Sequence, residues 1–172
     1  EPEWNFPVSE DAIAFVNGVV PTDRKVLLIS PCSSHVHRNW RPERYAAVAD
    51  YAVEQHGMSV VLSGGPSPLE RRLGEAIEGA TKHPLINLIG KDTLPQLVAL
   101  LKRADVVISP DSGPAHLANA LATPVVGLHA CTWSLRSGPY HTLDLCVDKF
   151  DEAARRYRNS TPKELRWGTR IE

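Results

Sequence analysis

Methionine, cysteine and an excess of either charge are all scarce in this chain. Met58 is its only methionine, three cysteines stand among 172 residues, and 19 lysines and arginines against 20 acids leave a formal charge of -1. Balanced charge gives no broad electrostatic footprint for nucleic acid or an anionic membrane, so any anion site has to be local. Cys32, Cys131 and Cys146 are odd in number, widely spaced and without metal-type pairing. That usage suits free thiols in a reducing, cytosolic compartment better than a disulfide framework. No stretch approaches the roughly 18 apolar residues of a membrane span, and no basic segment followed by an apolar run marks a signal peptide. Fixed-period repeats and low-complexity tracts are also lacking. There is no GxGxxG, and no acidic residue closes the second apolar run in the place a dinucleotide fingerprint requires, so NAD and FAD are excluded. No DxD-type pair of carboxylates stands at a strand end to hold a metal with a diphosphate.

What the chain does have is a cycle. From Lys25 onward short apolar runs alternate with stretches of helical period: "KVLLIS", "PERYAAVADYAVEQH", "MSVVLS", "PLERRLGEAIEGA", "INLI", "LPQLVALLKRA", "DVVIS", "PAHLANALA" and "PVVGLH". A further run, "LDLCV", predicts an edge strand. The runs "VLLI", "SVVL" and "DVVI" are apolar at successive positions, as expected when helices cover both faces of a parallel sheet. The fold class that follows is α/β, a doubly wound parallel sheet. Capping-box patterns at Ser67–Glu70, Thr93–Gln96 and Thr161–Glu164 predict helix starts independently. A short helix is expected in "SEDAIAFVNGV", and the polar tail from Phe150 reads as partly helical and peripheral. The length allows one well-buried domain, with its core over about 25–148.

In open parallel sheets ligands bind at the carboxyl ends of the strands, so the loops after the apolar runs are the candidates. After "VLLIS", Ser33 and Ser34 offer hydroxyls and Arg38 a fixed cation ahead of a helix, which is the chemistry a phosphate needs. The bland alternative is a polar turn with a solvated arginine. Gly64 and Gly65 follow the next run, where a missing Cβ lets a backbone approach a ligand. Glu70 could reach a ribose, though its capping-box position favours a structural role. In "DVVISPDSGPAHLANALA" the predicted helix starts at Pro114, which puts Ser112 and Gly113 at the cap among backbone N–H groups that have no intrahelical partner. A diphosphate fits there, with Asp111 placed to accept from a hydroxyl of the same ligand and His116 to orient Asp111 or touch the ligand. A capping serine, a turn aspartate and an ordinary histidine are the structural alternative.

Together "SSHVHRNWRPERY", "LSGGPSPLE", "LIGKDTLPQLVALLKRADVVISPDSGPAHLANALATPVVGLH" and "SLRSGPY" resemble the carboxy-terminal domain of the bacterial heptosyltransferases, glycosyltransferase family 9, from about Lys25 to Tyr140. The resemblance implies one Rossmann-like half of a GT-B type enzyme that transfers heptose from ADP-heptose to the lipopolysaccharide inner core, inverting and without a metal or other cofactor. It implies a cytoplasmic enzyme, at most peripheral at the inner membrane of a Gram-negative bacterium. Arg38 and Asp111 become the catalytic candidates. Ser33, Ser34, Gly64, Gly65, Ser112, Gly113 and His116 become donor contacts, and the stretch Gly90 to Leu94, with Gly90, Lys91, Thr93 and Leu94 as its contacts, borders the adenine. Arg38 stands where the family commonly has lysine, and Ser67 near where some members place an acidic ribose contact. Ala130, Cys131 and Thr132 replace a glycine, proline, threonine run, which alters the sugar side.

A two-domain transferase needs about twice this length, at roughly 150 residues per nucleotide-fold domain. The whole chain, 1–172, is therefore expected to be one nucleotide-sugar-binding domain, inactive alone, with the acceptor and a carboxylate base on an absent amino-terminal domain. The opening "EPEWNFPVSEDA" without methionine suits a segment of a longer protein, as it also suits processing or tag removal. Competing readings are another GT-B transferase or nucleotide-sugar epimerase, a noncatalytic nucleotide-binding module, and a hydrolase using Ser112, His116 and Asp111. The last lacks GxSxG and crowds its triad into six residues.

Overall fold

The computed structural model describes residue 4 and residues 6–171. Its elements in chain order are α1 (Glu10–Val19), β1 (Val26–Ile29), α2 (Pro42–His56), β2 (Ser59–Leu62), α3 (Pro68–Ala80), β3 (Ile86–Asn87), α4 (Leu94–Arg103), β4 (Val106–Pro110), α5 (Gly113–Ala120), β5 (Val125–His129), α6 (Ser134–Ser137), β6 (Val147–Asp148) and α7 (Phe150–Arg158). Short 3-10 turns occupy Val36–Arg38 and Tyr140–Leu145. The strands lie in the order β3-β2-β1-β4-β5-β6, and every neighbouring pair is parallel. This is the doubly wound α/β arrangement that the apolar runs predict.

The continuous runs are apolar because both faces of the sheet are covered. On β1, Val26 and Leu28 join the cluster formed with α1, α4 and α5, through Val16, Leu100 and Ala118. Leu27 and Ile29 point the other way, to Tyr45 and Ala49 of α2 and Ile77 of α3. Neighbouring strands repeat the alternation, with Val61 and Val107 on the first face and Leu62 and Ile108 on the second. Leu28, Ile29, Val61 and Leu62 are fully buried, each contributing roughly 1.5–3 kcal/mol by leaving water.

Helix ends follow local chemistry. The Ser67 hydroxyl accepts from the Glu70 N–H at 3.2 Å to start α3. Gln96 accepts from the Thr93 N–H at 2.8 Å in the capping box of α4. Gly57 closes α2 in the left-handed region at φ 61°. The third capping pattern forms its bonds without a helix: Glu164 accepts from the Thr161 N–H at 2.8 Å, in a turn that runs into Gly168 at φ 88°.

The expected edge strand over "LDLCV" is mostly a 3-10 turn, and only Val147–Asp148 pairs with β5. Thr142 explains the difference. Its hydroxyl donates to the Val125 carbonyl at 3.1 Å and accepts from the Val125 N–H at 3.3 Å. Those two bonds cap the start of β5 from the side, and local side-chain bonding of this kind competes with a ladder. The tail is less peripheral than its polarity suggests. Phe150 and Ala154 of α7 and Ile171 bury together, and Trp133 stacks on Phe150 with ring centroids 6.0 Å apart.

Candidate functional site

The winding of the sheet reverses between β1 and β4, parallel neighbours whose paired residues, such as Leu27 and Val106, are 79 positions apart in the chain. A crevice opens beyond the carboxyl ends of the strands at such a point. Here it is a cleft of about 890 Å³ walled by the loops after β1, β2, β3 and β4.

From the β1 side it receives Ser33, Ser34 and Arg38. Ser33 is buried, and its hydroxyl closes a local turn, donating to the His35 carbonyl at 3.0 Å and accepting from the His35 N–H at 3.2 Å. Ser34 is exposed on the wall. Arg38 reaches across to β4: its Nη1 donates to the Asp111 carbonyl at 2.9 Å and lies 3.3 Å from the Asp111 carboxylate. Its Nε is buried without a partner.

From the β4 side come Asp111, Ser112, Gly113 and His116. Ser112 stands at the cap of α5, but its hydroxyl pairs with Ser109 Oγ at 2.7 Å and no side chain caps the helix. The α5 amino end is therefore left with uncapped backbone N–H groups beside the cleft, and the helix dipole adds partial positive charge there. Asp111 is 6 % exposed and surrounded by donors. Burial alone would raise its pKa. Hydrogen bonds from His116, Thr132 and Ser137 and the charge of Arg38 overcome that and hold it well below the usual carboxylate range. The Ser137 hydroxyl donates at 3.0 Å, and His116 Nε2 lies 3.4 Å from the other carboxylate oxygen. His116 thus orients Asp111 while its own ring stays half exposed at the cleft.

The β2 loop brings Gly64, Gly65, Ser67 and Glu70. The Glu70 carboxylate accepts from the Gly65 N–H and, at 3.1 Å, from the Ser67 hydroxyl. A Cβ on Gly64 or Gly65 would stand 2.8 Å from a Glu70 oxygen, so these glycines make room for that carboxylate as well as for any ligand. The β3 loop brings Thr93 and Leu94, the latter exposed. Gly90 and Lys91 stand outside the cleft lining. Gly90 turns the chain at φ 70° and sends its N–H to the Gly64 carbonyl at 2.8 Å, while Lys91 Nζ donates back to the Asn87 carbonyl at 2.8 Å.

Sequence reasoning placed Asp92 only within the Gly90 to Leu94 stretch, without a role of its own, and did not nominate Ser63. Asp92 lines the cleft, accepts from the Ser63 hydroxyl at 2.6 Å, and has its pKa raised by burial. Its place in the loop after β3, three positions beyond the apolar run, was the available signal. Thr132 and Ser137, which complete the shell around Asp111, follow β5 and left no signal in the β4 motif. Among the described residues, no group of three or more His, Cys, Asp or Glu side chains is placed to hold a metal ion, and no helix is long and apolar enough to cross a membrane.

The family model of glycosyltransferase family 9 (heptosyltransferase) matches residues 1–166. The lipopolysaccharide core heptosyltransferase OpsX of Haemophilus influenzae is 40% identical over 172 residues, which is 100% of this chain and 49% of that protein. Lipopolysaccharide heptosyltransferase 3 of Escherichia coli K12 is 35% identical over 107 residues, 62% of this chain and 31% of that protein. The chain spans about half the length, or less, of these relatives. Among solved structures, a family 9 glycosyltransferase of Veillonella parvula superposes with a TM-score of 0.74 at 23% identity, over 84% of this chain and 42% of that one. ADP-heptose lps heptosyltransferase II of E. coli gives 0.71 at 23% identity, over 84% and 44%. The fold is that of one half of a GT-B type heptosyltransferase, and the chain belongs to glycosyltransferase family 9.

Proposed function

We propose that this chain is the carboxy-terminal, donor-binding half of a lipopolysaccharide core heptosyltransferase, and that the cleft holds ADP-heptose. The observation that carries the reading is the uncapped amino end of α5 standing in one cleft with Arg38. Backbone N–H groups, a helix dipole and a guanidinium together suit a diphosphate. As the bond to the sugar breaks, negative charge grows on the leaving diphosphate, and these fixed groups stabilise that charge more than the ground state. The reading assigns this to Arg38 and α5 rather than to a metal. The nucleoside lies over the ends of β2 and β3, where exposed Leu94 and Thr93 border the base and Asp92 faces the ribose hydroxyls. Gly90 and Lys91 support that edge from behind. An E. coli heptosyltransferase structure of the same fold, described as being with ADP, agrees in nucleotide.

Asp111 does not suit the role of general base in this reading. A base works best with a pKa near the working pH. Asp111 is held far below that by His116, Thr132, Arg38 and Ser137. Its role is to orient Arg38 and accept from a donor hydroxyl, and the base comes from the other half of the enzyme, which also holds the lipopolysaccharide acceptor. Calorimetric titration of the chain with ADP, UDP and GDP tests the reading. ADP should bind at least tenfold more tightly than the other two; equal affinities, or none for ADP, would overturn it.

A further inference from the structure

Arg38 is the end wall of the cleft and also one wall of a second cavity. This smaller space, about 270 Å³, is lined by residues that include His37, Arg38, Trp40, Arg44, His129 and Lys149, and none of its lining side chains is acidic. The three fixed cations differ in how strongly they are already engaged. Arg38 is bound to Asp111. Lys149 pairs with Glu152 in an exposed contact that spans one helical turn, and such pairs contribute little. Arg44 is exposed and has no carboxylate partner among the described residues; its guanidinium lies over the Trp40 ring, 5.6 Å from the centroid. His129 is buried, and burial lowers its pKa, so it adds a polar ring to the wall and no charge at neutral pH.

The position of this cavity follows from the strand order. The loops after β2 and β3 wall one flank of the main cleft, while Leu128 and His129 of β5 and the following Ala130–Thr132 wall the second cavity. A donor with its nucleoside over β2 and β3 and its diphosphate between β1 and β4 directs its sugar toward β5. The second cavity therefore borders the place where the sugar is transferred, and it lies where a second substrate would approach. Its walls combine an aromatic face, which packs on the C–H side of a sugar ring, with Arg44, which no carboxylate among the described residues engages, and Lys149, whose exposed pair with Glu152 is weak enough to yield to an anion.

We propose that this cavity is a subsite for an anionic sugar of the acceptor, with its phosphate or carboxylate held by Arg44 and Lys149 and its ring against Trp40. The inference rests on the donor reading above for its orientation. It makes the carboxy-terminal half a contributor to acceptor choice through residues of α2 and the β6–α7 junction.

The test uses the 15N-labelled chain saturated with ADP, so that the diphosphate site is already filled. Glucose 6-phosphate, glucuronate and glucose are then titrated separately while the Trp40 indole N–H and Arg44 Nε resonances are followed. The two anions should shift both resonances saturably and glucose should not, and the stronger of the two anions identifies phosphate or carboxylate as the preferred group. Arg44→Gln and Lys149→Gln should each weaken the anion about tenfold or more, the loss expected for a charged hydrogen bond. ADP affinity and the thermal midpoint should stay unchanged in both. If neither anion shifts Trp40 in the ADP-loaded chain, if glucose acts equally, or if both variants bind as the parent does, the subsite is refuted while the donor reading stands. Failure of ADP to saturate the chain overturns the donor reading and this inference with it.

Discussion

Replacing Asp111 by asparagine keeps the side-chain shape and removes its charge, which isolates the electrostatic part of the site. The Arg38 and Asp111 side chains are 11% and 7% exposed, and their charged atoms are 3.3 Å apart. At an effective dielectric near 20 the attraction at that distance is about 5 kcal/mol before any desolvation is subtracted. Removing one member of a buried pair leaves the other uncompensated, at a typical cost of about 3–5 kcal/mol. The asparagine amide also turns a donor toward the Ser137 hydroxyl or toward His116, where the carboxylate accepted from both. Asp111→Asn should therefore lose about 3–5 kcal/mol in urea unfolding at pH 7, a large part of the 5–15 kcal/mol typical of a domain. The pH dependence adds a check. A carboxylate whose folded pKa is depressed stabilises the protein above its unfolded pKa, near 4, and that contribution disappears as the pH falls toward the folded value. The gap between parent and variant should be full at pH 7 and should narrow below about pH 4. A variant within about 0.5 kcal/mol of the parent at pH 7, the range of an ordinary surface substitution, or a gap indifferent to acid, would falsify the electrostatic account.

Three further outcomes follow from the same structure. Arg38→Ala should weaken ADP about tenfold to hundredfold in calorimetry, since a charged hydrogen bond to the diphosphate is lost; an unchanged Kd removes Arg38 from the donor site. Gly90→Ala should lower stability by roughly 1–3 kcal/mol and the thermal midpoint by several degrees, because φ is 70° and a Cβ would stand 3.0 Å from the Pro66 Cα; a melting curve superimposable on the parent's contradicts the strain. Phe150→Ala should cost about 3–5 kcal/mol in urea unfolding if the tail is docked through this 2% exposed ring, and a loss under 1 kcal/mol would show the tail to be loosely held.

The interior strands were legible because burial on both faces writes itself as unbroken apolar runs: "VLLI" is β1 and "SVVL" is β2 without adjustment. The sheet edges were not, since β3 and β6 have two residues each and neither length nor periodicity can mark so short a pairing. The β6 run was assigned too early in the chain because Thr142 holds its neighbours in a turn by bonds to Val125. In the site, the residues of one loop were readable together, as Asp111 to His116 show. Contacts between loops were not. Nothing in "SPDSGPAH" announces that Ser137 will donate to Asp111, or that Arg38 will cross from the β1 loop to meet it. Ser33 and Ser34 illustrate the remaining ambiguity of residue type. Two adjacent hydroxyls read alike and both line the cleft, yet one is buried and engaged in a local turn while the other is exposed.

The Arg38–Asp111 pair also bears on what the isolated chain can do with a bound donor. In the proposed donor site, a guanidinium already balanced by a carboxylate presents less net charge to a ground-state diphosphate than a free one would, so Arg38 shares that binding with the α5 amino end. On the proposed reading, as the glycosidic bond breaks the added charge on the departing phosphate competes with Asp111 for the same guanidinium, and the interaction strengthens where it lowers the barrier. That arrangement assists departure of the leaving group without supplying a nucleophile. Two carboxylates of the cleft do not fill the gap: Asp111 has its pKa depressed by its donors, and Asp92 is hydrogen-bonded to Ser63 at the proposed nucleoside end. Positioning an acceptor hydroxyl in line with the anomeric carbon is a large part of the rate of such a transfer, and it needs a second wall to the cleft. The purified chain should therefore bind ADP-heptose and leave it unconsumed in the presence of a lipid A core acceptor, with ADP release at the rate of the protein-free control. Release at an ordinary enzymatic rate, on the order of 1 per second or faster, would place the base within these residues and overturn the division of labour proposed for the two halves.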